Sequence, residues 1–289
     1  DGTLAITGGQ PQAAGLIGPD GKFALTATMR PLPAQDKLPA AKQIDLQNFS
    51  VDGRALNLKG GGQVNTGRDM DLAFDLGLTD LARALPSLRG ALTLALQAKG
   101  PMQDFTATLH AKGDPGTATM PRGPIALDAN VQHLPTAPEG TVQANGTLNR
   151  APLVLDVALA QSAQGDRQVD IRKLSWNSVA GQGQLSLPTG EVVPLGTLDL
   201  KVGRLADFRP LIGQAISGAL AASVKTTQVA DTPQVALKLD GNVAMPSVKI
   251  GSLALAGTVK DPAAHPNADL TLKLGGLSAS GVTGQARLS

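Results

Sequence analysis

The sequence predicts an all-β protein built around a long antiparallel sheet, and three observations lead to that prediction. Apolar and polar residues alternate along most of the chain, as in "RGALTLALQAKG" at residues 89–100, where leucines take every second position. Glycine and proline are frequent, at 34 and 20 of 289 residues, as is typical of short strands joined by turns. Aromatic residues are scarce, with 5 Phe, 1 Trp and no Tyr, so Leu, Val, Ile and Ala must fill the interior.

The individual strands follow from the alternating segments, which are separated by turn signals rich in Gly, Pro, Asp and Asn. The alternating segments lie at residues 22–28, 71–78, 89–100, 105–111, 125–131, 152–159, 196–202, 233–241 and 269–276. The turn signals lie at residues 18–21, 99–104, 149–152, 230–233 and 260–269. At roughly 12–15 residues per strand and turn, the chain would hold about 20 strands, and close linkage favours antiparallel hairpins.

Two short segments have helical spacing, at residues 80–85 and 204–216. Each contains or meets a proline, and a helix of two turns cannot cover a sheet of this size. We therefore expect these inserts to plug an end or a seam of the sheet.

The sequence also resembles itself at long range. Phe49 is matched by Leu174, at an offset of 174 − 49 = 125, and Gly90 is matched by Gly218, at an offset of 218 − 90 = 128. The repeating unit is a strand meander, a short helical insert, a glycine and a further meander.

We interpret residues 1–289 as one continuous β-repeat segment of a longer protein. Its internal copies cover approximately 44–113 and 169–241, and a third copy starts at approximately 272. Any targeting sequence or membrane anchor would then lie outside the segment.

The shape of the sheet is left open by these patterns. Twenty strands spaced ~4.8 Å apart would make a sheet on the order of 95 Å long, and open twisted sheets rarely exceed ~10 strands. The sheet could form a sealed sandwich or solenoid, a closed barrel, or an incompletely closed trough. The shortage of aromatic residues disfavours a membrane barrel, and the absence of tandem "GGxGxD" repeats disfavours a calcium-binding solenoid.

Composition excludes several classes of function. The 25 basic and 23 acidic residues are interspersed and give a net charge of +2, so no nucleic-acid partner is predicted. There is no cysteine for disulfide or thiol chemistry. The glycine-rich stretch "KGGGQVNTG" at 59–67 lacks the Lys-Ser/Thr ending of a phosphate loop and is interpreted as a turn or bulge.

The titratable residues do not form a catalytic or metal-binding pattern. His110 falls on the polar side of its strand, while His133 and His265 fall in proline-rich turns, without HxH or HExxH spacing. Asp71 and Asp75 share the polar side of a strand but are ~13 Å apart, too far for paired acid/base work. The sequence therefore predicts no catalytic residue, no metal site and no cofactor, and a protein that is not an enzyme.

The succession of alternating strands and turns in this chain resembles that of the TamB family. These are long periplasmic proteins of the AsmA-like, bridge-like lipid-transfer group. The matching elements are the "LxLxLxxxG" meanders, the segment "GTLNRAPLVL" at 146–155 and the segment "LADFRPLIGQAISGALAASV" at 205–224. The likeness covers most of the chain and rests on rhythm and composition.

This resemblance implies a fold, a location and a set of partners. It implies a sheet curled into a U-shaped (taco-like) trough with an aliphatic interior, in the periplasm of a Gram-negative bacterium. An inner-membrane anchor and an outer-membrane partner of the Omp85 type (TamA-like) would engage regions outside this segment. The implied role is phospholipid transport between the inner and outer membranes, outer-membrane protein assembly, or both.

A lipid path also has a physical rationale. Each methylene of an acyl chain costs about 0.8 kcal/mol to expose to water, so an apolar trough removes a large barrier without any catalytic group. The partners would be phospholipid acyl chains. The residues predicted to line the trough are Leu72, Phe74, Leu76, Leu92, Leu94, Leu96, Phe105, Leu109, Leu153, Leu155, Val157, Leu159, Leu198, Leu200, Val202, Val235, Leu237, Leu239, Leu270, Leu272 and Leu274.

Two other functions are compatible with the same pattern. The apolar residues could form a sealed core, which would make the chain a structural or adhesion module. Alternatively, exposed sheet edges could template the strands of nascent outer-membrane proteins, as in a chaperone-like scaffold.

Overall fold

The structure is a computed structural model, and it describes residues 2–4, 11–34, 40–230, 232–279 and 282–288. Strands account for 69% of these residues, and helices are few and short. The prediction of an all-β protein with an antiparallel sheet is confirmed. The chain divides into two compact units, Asp1–Arg150 and Ala151–Ser289, which are described separately below.

The first unit is an antiparallel meander. In chain order its elements are β1 (Gly2–Leu4), α1 (Pro11–Ile17), β2 (Gly21–Leu32), β3 (Ala41–Asp52), β4 (Leu56–Asn65), β5 (Asp69–Leu78), a 3₁₀ turn (Leu81–Arg83), β6 (Leu88–Arg89), β7 (Leu92–Pro101), β8 (Asp104–Gly113), β9 (Gly116–Thr117), β10 (Ile125–Pro135) and β11 (Glu139–Leu148). The sheet pairs β1, β2, β3, β4, β5, β7, β8, β10 and β11 in that order. Strands β6 and β9 form a separate two-residue ribbon.

The second unit repeats this plan with an insert of its own. Its elements are β12 (Ala151–Gln161), β13 (Arg167–Trp176), β14 (Val179–Leu187), β15 (Leu195–Val202), a 3₁₀ turn (Leu205–Phe208), α2 (Arg209–Ile212), β16 (Ser217–Val229), β17 (Thr232–Ala244), β18 (Val248–Lys260), β19 (Asn267–Ala279) and β20 (Val282–Leu288). Each strand pairs antiparallel with the next one in the chain.

Strand register collects the alternating residues of each unit onto one side of its sheet. In the first unit Leu76 pairs with Leu58 on one neighbouring strand and with Leu94 on the other. In the second unit Leu239 pairs with Ala222 and with Leu255. Because side chains alternate between the two sides of a strand, the residues between these positions point the other way. We call the two sides of each sheet the apolar face and the polar face.

A glycine lets two aromatic rings meet on the apolar face of the first unit. Gly60 lies between Phe49 and Phe74 in the pairing of β3, β4 and β5. The two rings have centroids 6.4 Å apart in an edge-to-face arrangement, which is favourable for aromatic pairs. A Cβ atom at Gly60 would lie 2.6 Å from Phe74 Cε1, so only glycine fits beneath this pair.

Two glycines separated by the repeat offset have matching surroundings. Gly90 has φ +104° and Gly218 has φ +121°, a region that favours glycine. The amide after the first glycine, that of Ala91, donates to Asp114 Oδ1 at 2.7 Å. The amide after the second glycine donates in the same way to Asn242 Oδ1 at 3.1 Å. The polar side chains anchor the strand that follows each insert.

The sheets are open. In neither unit do the described parts of the first and last strands pair with each other, and the sheet is not strongly curled. The U-shaped trough therefore stays a prediction.

The helical elements differ from the predictions in length and number. The insert predicted at 80–85 is a 3₁₀ turn, and the one predicted at 204–216 is a 3₁₀ turn followed by one helical turn. Helix α1 was not predicted, because the sequence pattern in this part of the chain indicated only a turn at 18–21 and a strand at 22–28. The signal for this helix is "PQAA" at 11–14, which places proline at the first helical position and helix-favouring residues after it.

Candidate functional site

The apolar faces are the candidate functional site, because most of their large side chains are left partly accessible. Leu96, Leu198, Leu200 and Leu270 are 36–39% exposed. Val202 is buried, and the other residues predicted to line a trough are half-buried. Strand register places all the predicted lining residues on the apolar face of their own unit. Their contact with lipid stays a prediction.

The apolar face of the first unit extends beyond the residues that were predicted. Leu25 on β2 pairs with Phe49, and Met29 pairs with Ile44, so β2 and β3 continue the same face. Leu25 and Met29 are 55% and 62% exposed. The signal was present in the alternation at residues 22–28, where Phe23 and Leu25 share one side.

Few side chains are buried in the described part of the chain. No large side chain there has less than 2% of its surface accessible. The buried hydrophobic residues are Ala55, Leu81, Met120, Ala144, Ala151, Trp176, Val202 and Leu205. Several of these residues belong to the inserts or lie next to them, so burial is concentrated there rather than spread along the apolar faces.

The total surface agrees with sheets that lack a covering layer. The chain exposes 17125 Å². Two separate compact proteins of half its mass would together expose about 14,000 Å² by the usual scaling of area with mass. The excess is consistent with one-layer units in which both sides of the sheet reach solvent.

In the first unit, α1 and the 3₁₀ turn are hydrogen-bonded to the ends of strands. The amide of Arg54, in the turn between β3 and β4, donates to the Ile17 carbonyl at 3.0 Å. The amide of Leu81 donates to the Gly90 carbonyl at 2.8 Å, and Leu81 itself is buried. These contacts cap one end of the strands.

In the second unit, the insert after β15 covers one end of the apolar face. Trp176 and Phe208 pack edge to face with ring centroids 5.3 Å apart. Val202 and Leu205 are buried in the same region, and the Ser178 hydroxyl donates to Asp207 Oδ2 at 2.5 Å. The expectation that the inserts plug an end of the sheet agrees with this geometry.

The polar faces carry exposed ion pairs between neighbouring strands. Lys99 Nζ lies 2.7 Å from Asp71 Oδ2, and the hydrogen bond with this carboxylate raises the pKa of Lys99. His110 Nδ1 lies 2.6 Å from Asp128 Oδ1 on the next strand. Such exposed pairs contribute little to stability, but they keep this side of the sheet hydrated.

One prediction about a single residue was wrong. His133 lies within β10, in an irregular stretch with φ +56°, and not in a turn. Its ring nitrogen lies 2.8 Å from Asp104 Oδ1. The interpretation of residues 59–67 as a turn or bulge agrees with the structure: Gly60, Gly61 and Gly62 lie in β4 opposite a bulge in β3, and Gly67 lies in the turn at residues 66–68. His265 does lie in a turn, as predicted.

Across the described residues, the helices fall short of the length and apolar character that a membrane span requires. No protein-family model, curated protein or solved structure matches the chain.

Proposed function

We propose that this chain is a segment of a bridge-like protein in the periplasm of a Gram-negative bacterium, on which phospholipid acyl chains move between the inner and outer membranes. One observation carries the proposal. Within each unit a broad apolar face is capped at one end and is otherwise half-exposed, so the protein's own side chains leave an apolar surface available.

The energetics favour an acyl chain as the occupant. Removing apolar surface from water is worth about 25 cal/mol per Å², and each acyl methylene contributes about 0.8 kcal/mol. A side chain such as Leu200, which is 39% exposed, gains burial when a chain lies against it. Exposed apolar patches of this kind mark sites of ligand, membrane or protein contact.

In this proposal the sheet bends over its apolar face into a U-shaped trough around the lipid. The main sheet of each unit has nine described strands, close to the ~10 that an open twisted sheet tolerates before it curls or splits. The polar face would remain outside, in water. An inner-membrane anchor and an outer-membrane partner of the Omp85 type would belong to parts of the protein outside this segment.

A role in outer-membrane protein assembly is the second candidate, and an open strand edge favours it. β1 pairs only with Gly21–Phe23, so the rest of the outer edge of β2, up to Leu32, has no strand partner among the described residues. Unpaired edges accept added strands. Crosslinking along this edge to strands of a nascent barrel protein would distinguish templating from lipid carriage.

The proposal is tested by mass spectrometry of an organic extract from protein purified without detergent. We expect phospholipid in stoichiometric amount. A lipid-free extract from protein whose fold is verified by circular dichroism would overturn the proposal and favour a structural or adhesion module.

Paired variants locate the lipid on the apolar face. Leu94→Asp and Leu237→Asp place a charge on that face, whereas Thr93→Asp and Ala236→Asp place the same charge on the polar face of the same strands. We expect the first pair to lose bound lipid while remaining folded, and the second pair to retain it. Equal lipid content in all four variants would contradict the assignment.

A further inference from the structure

A cleft at the capped end of the first unit has the chemistry of an anion site. It encloses about 420 Å³, within the range of ligand pockets. It lies where the β6–β9 ribbon meets the 3₁₀ turn. The side chains that define its chemistry are Thr79, Asp80, Arg89, Thr117, Met120 and Arg122.

The negative charge of each carboxylate near the cleft is already balanced by an arginine other than Arg89. Asp80 Oδ2 lies 3.5 Å from Arg83 Nε. Asp114 is paired with Arg122, and its pKa is lowered, chiefly by the hydrogen bond from the Ala91 amide. Each of these carboxylates is therefore engaged by an arginine of its own, and neither is paired with a third cation among the described residues.

Arg89 is that third cation. Its backbone pairs with Gly116 in the β6–β9 ribbon, which fixes the position of its Cα. Its side chain is exposed and lines the cleft, and no hydrogen bond or ion pair engages it among the residues that the structure describes. A guanidinium presents a planar fork of donors that matches the oxygens of a phosphate group.

A hydroxyl donor lines the same cleft. The Thr117 hydroxyl accepts a hydrogen bond from the Met120 amide at 3.0 Å. Its own proton is then available to the neighbouring Thr119 hydroxyl, 3.2 Å away, or to a ligand. Buried Met120 and half-buried Pro121 add apolar surface to the lining of the cleft.

We propose that this cleft binds a phosphate group, with Arg89 as its principal ligand and Arg122 and Thr117 as supporting donors. The phosphate could belong to free inorganic phosphate or to a phospholipid headgroup. The second source rests on the proposed function, since it requires that acyl chains occupy the apolar face of the same unit.

Calorimetric titration of the whole chain with inorganic phosphate tests the site itself. We expect Arg89→Gln to weaken phosphate binding about tenfold, because one charge-assisted contact is lost. Arg89→Lys, which keeps the charge but not the fork, should show a smaller loss. Arg172→Gln, at an exposed position of β13 in the second unit, is the control and should bind as the unmodified protein does.

Short-chain lipids identify the source of the phosphate. Dihexanoylphosphatidic acid is compared with dihexanoylglycerol, which has the same acyl chains and no phosphate. Tighter binding of the phosphatidic acid than of either dihexanoylglycerol or inorganic phosphate, reduced in Arg89→Gln, would assign the site to a headgroup. Binding of inorganic phosphate alone would assign it to free phosphate.

Two outcomes would overturn the proposal: no binding of phosphate or phosphatidic acid to the unmodified protein, or equal binding by Arg89→Gln and the control. These outcomes are separate from a failure of the proposed function. Protein that carries phospholipid but binds phosphate independently of Arg89 retains the function and loses the site. Protein that binds phosphate through Arg89 but carries no lipid retains the site and loses the function.

Discussion

Neighbouring positions on one strand provide a sharp test of how the apolar face is covered. Leu200 and Val202 lie on the same face of β15, but Leu200 is 39% exposed and Val202 only 9%. Leu200 pairs with Gly181 and Ala222, whose small side chains leave it open to solvent. Val202 lies next to the insert, near buried Leu205. An aspartate at either position therefore meets a different environment.

The expected free energies of unfolding follow from those exposures. Full burial of a leucine side chain is worth about 1.5–3 kcal/mol, so replacing the partly exposed Leu200 by a hydrated aspartate should cost about 1–2 kcal/mol. Val202→Asp places an unpaired charge in a buried position and should cost about 4 kcal/mol or more.

Urea denaturation followed by far-ultraviolet circular dichroism measures both variants. Lys201→Gln, between the two positions and on the polar face, is the control and should change stability by less than about 0.5 kcal/mol. If Leu200→Asp destabilised the protein as severely as Val202→Asp, the face would be sealed and the reasoning refuted.

Three further predictions concern the glycines and the anchoring carboxylate. Gly60→Ala should cost about 1–3 kcal/mol in urea denaturation because its Cβ would lie 2.6 Å from Phe74 Cε1, and Phe74→Leu in the same chain should recover part of the loss. Gly90→Ala should be more damaging than Gly67→Ala, since both have positive φ but only the first would press its Cβ against the Asp114 backbone, 2.9 Å from its carbonyl carbon; equal thermal shifts would contradict this. Asp114 has a lowered pKa in the folded chain, so its stabilising effect is present above its unfolded pKa of about 3.9 and is lost as the pH falls through the folded value. Stability profiles of the unmodified protein and Asp114→Asn should accordingly differ at pH 7 and converge in acid, and a constant difference would disprove the assignment.

The strands and their faces were predictable because alternation at period two is written directly into the chain. Leu76 and Leu94 fall on one face because each is one of the alternating apolar residues of its own strand. Antiparallel pairing places the two directly opposite each other. The offset of 128 residues between Gly90 and Gly218 was also visible, and the two glycines share a positive φ and a polar anchor.

The cover over the strand ends was not predictable from the same pattern. Helix α1 and the β6–β9 ribbon are too short to produce a clear period, and their positions depend on hydrogen bonds to distant turns such as the one containing Arg54. The extent of exposure along the apolar face depends on what packs over it, which alternation does not encode. The candidate anion cleft was also not predictable from the sequence. Arg89 and Arg122, which are far apart in the chain, line the same cleft only because of the tertiary structure.

The edge-to-face contact between Trp176 and Phe208 also gives the protein a built-in optical probe. Trp176 is the sole tryptophan of the chain, and there is no tyrosine. Fluorescence excited at the red edge of the tryptophan absorption band therefore originates from Trp176, at the capped end of the second unit. It does not report on the first unit. Comparing this emission with a signal averaged over the whole backbone would show whether the two units melt together or one after the other.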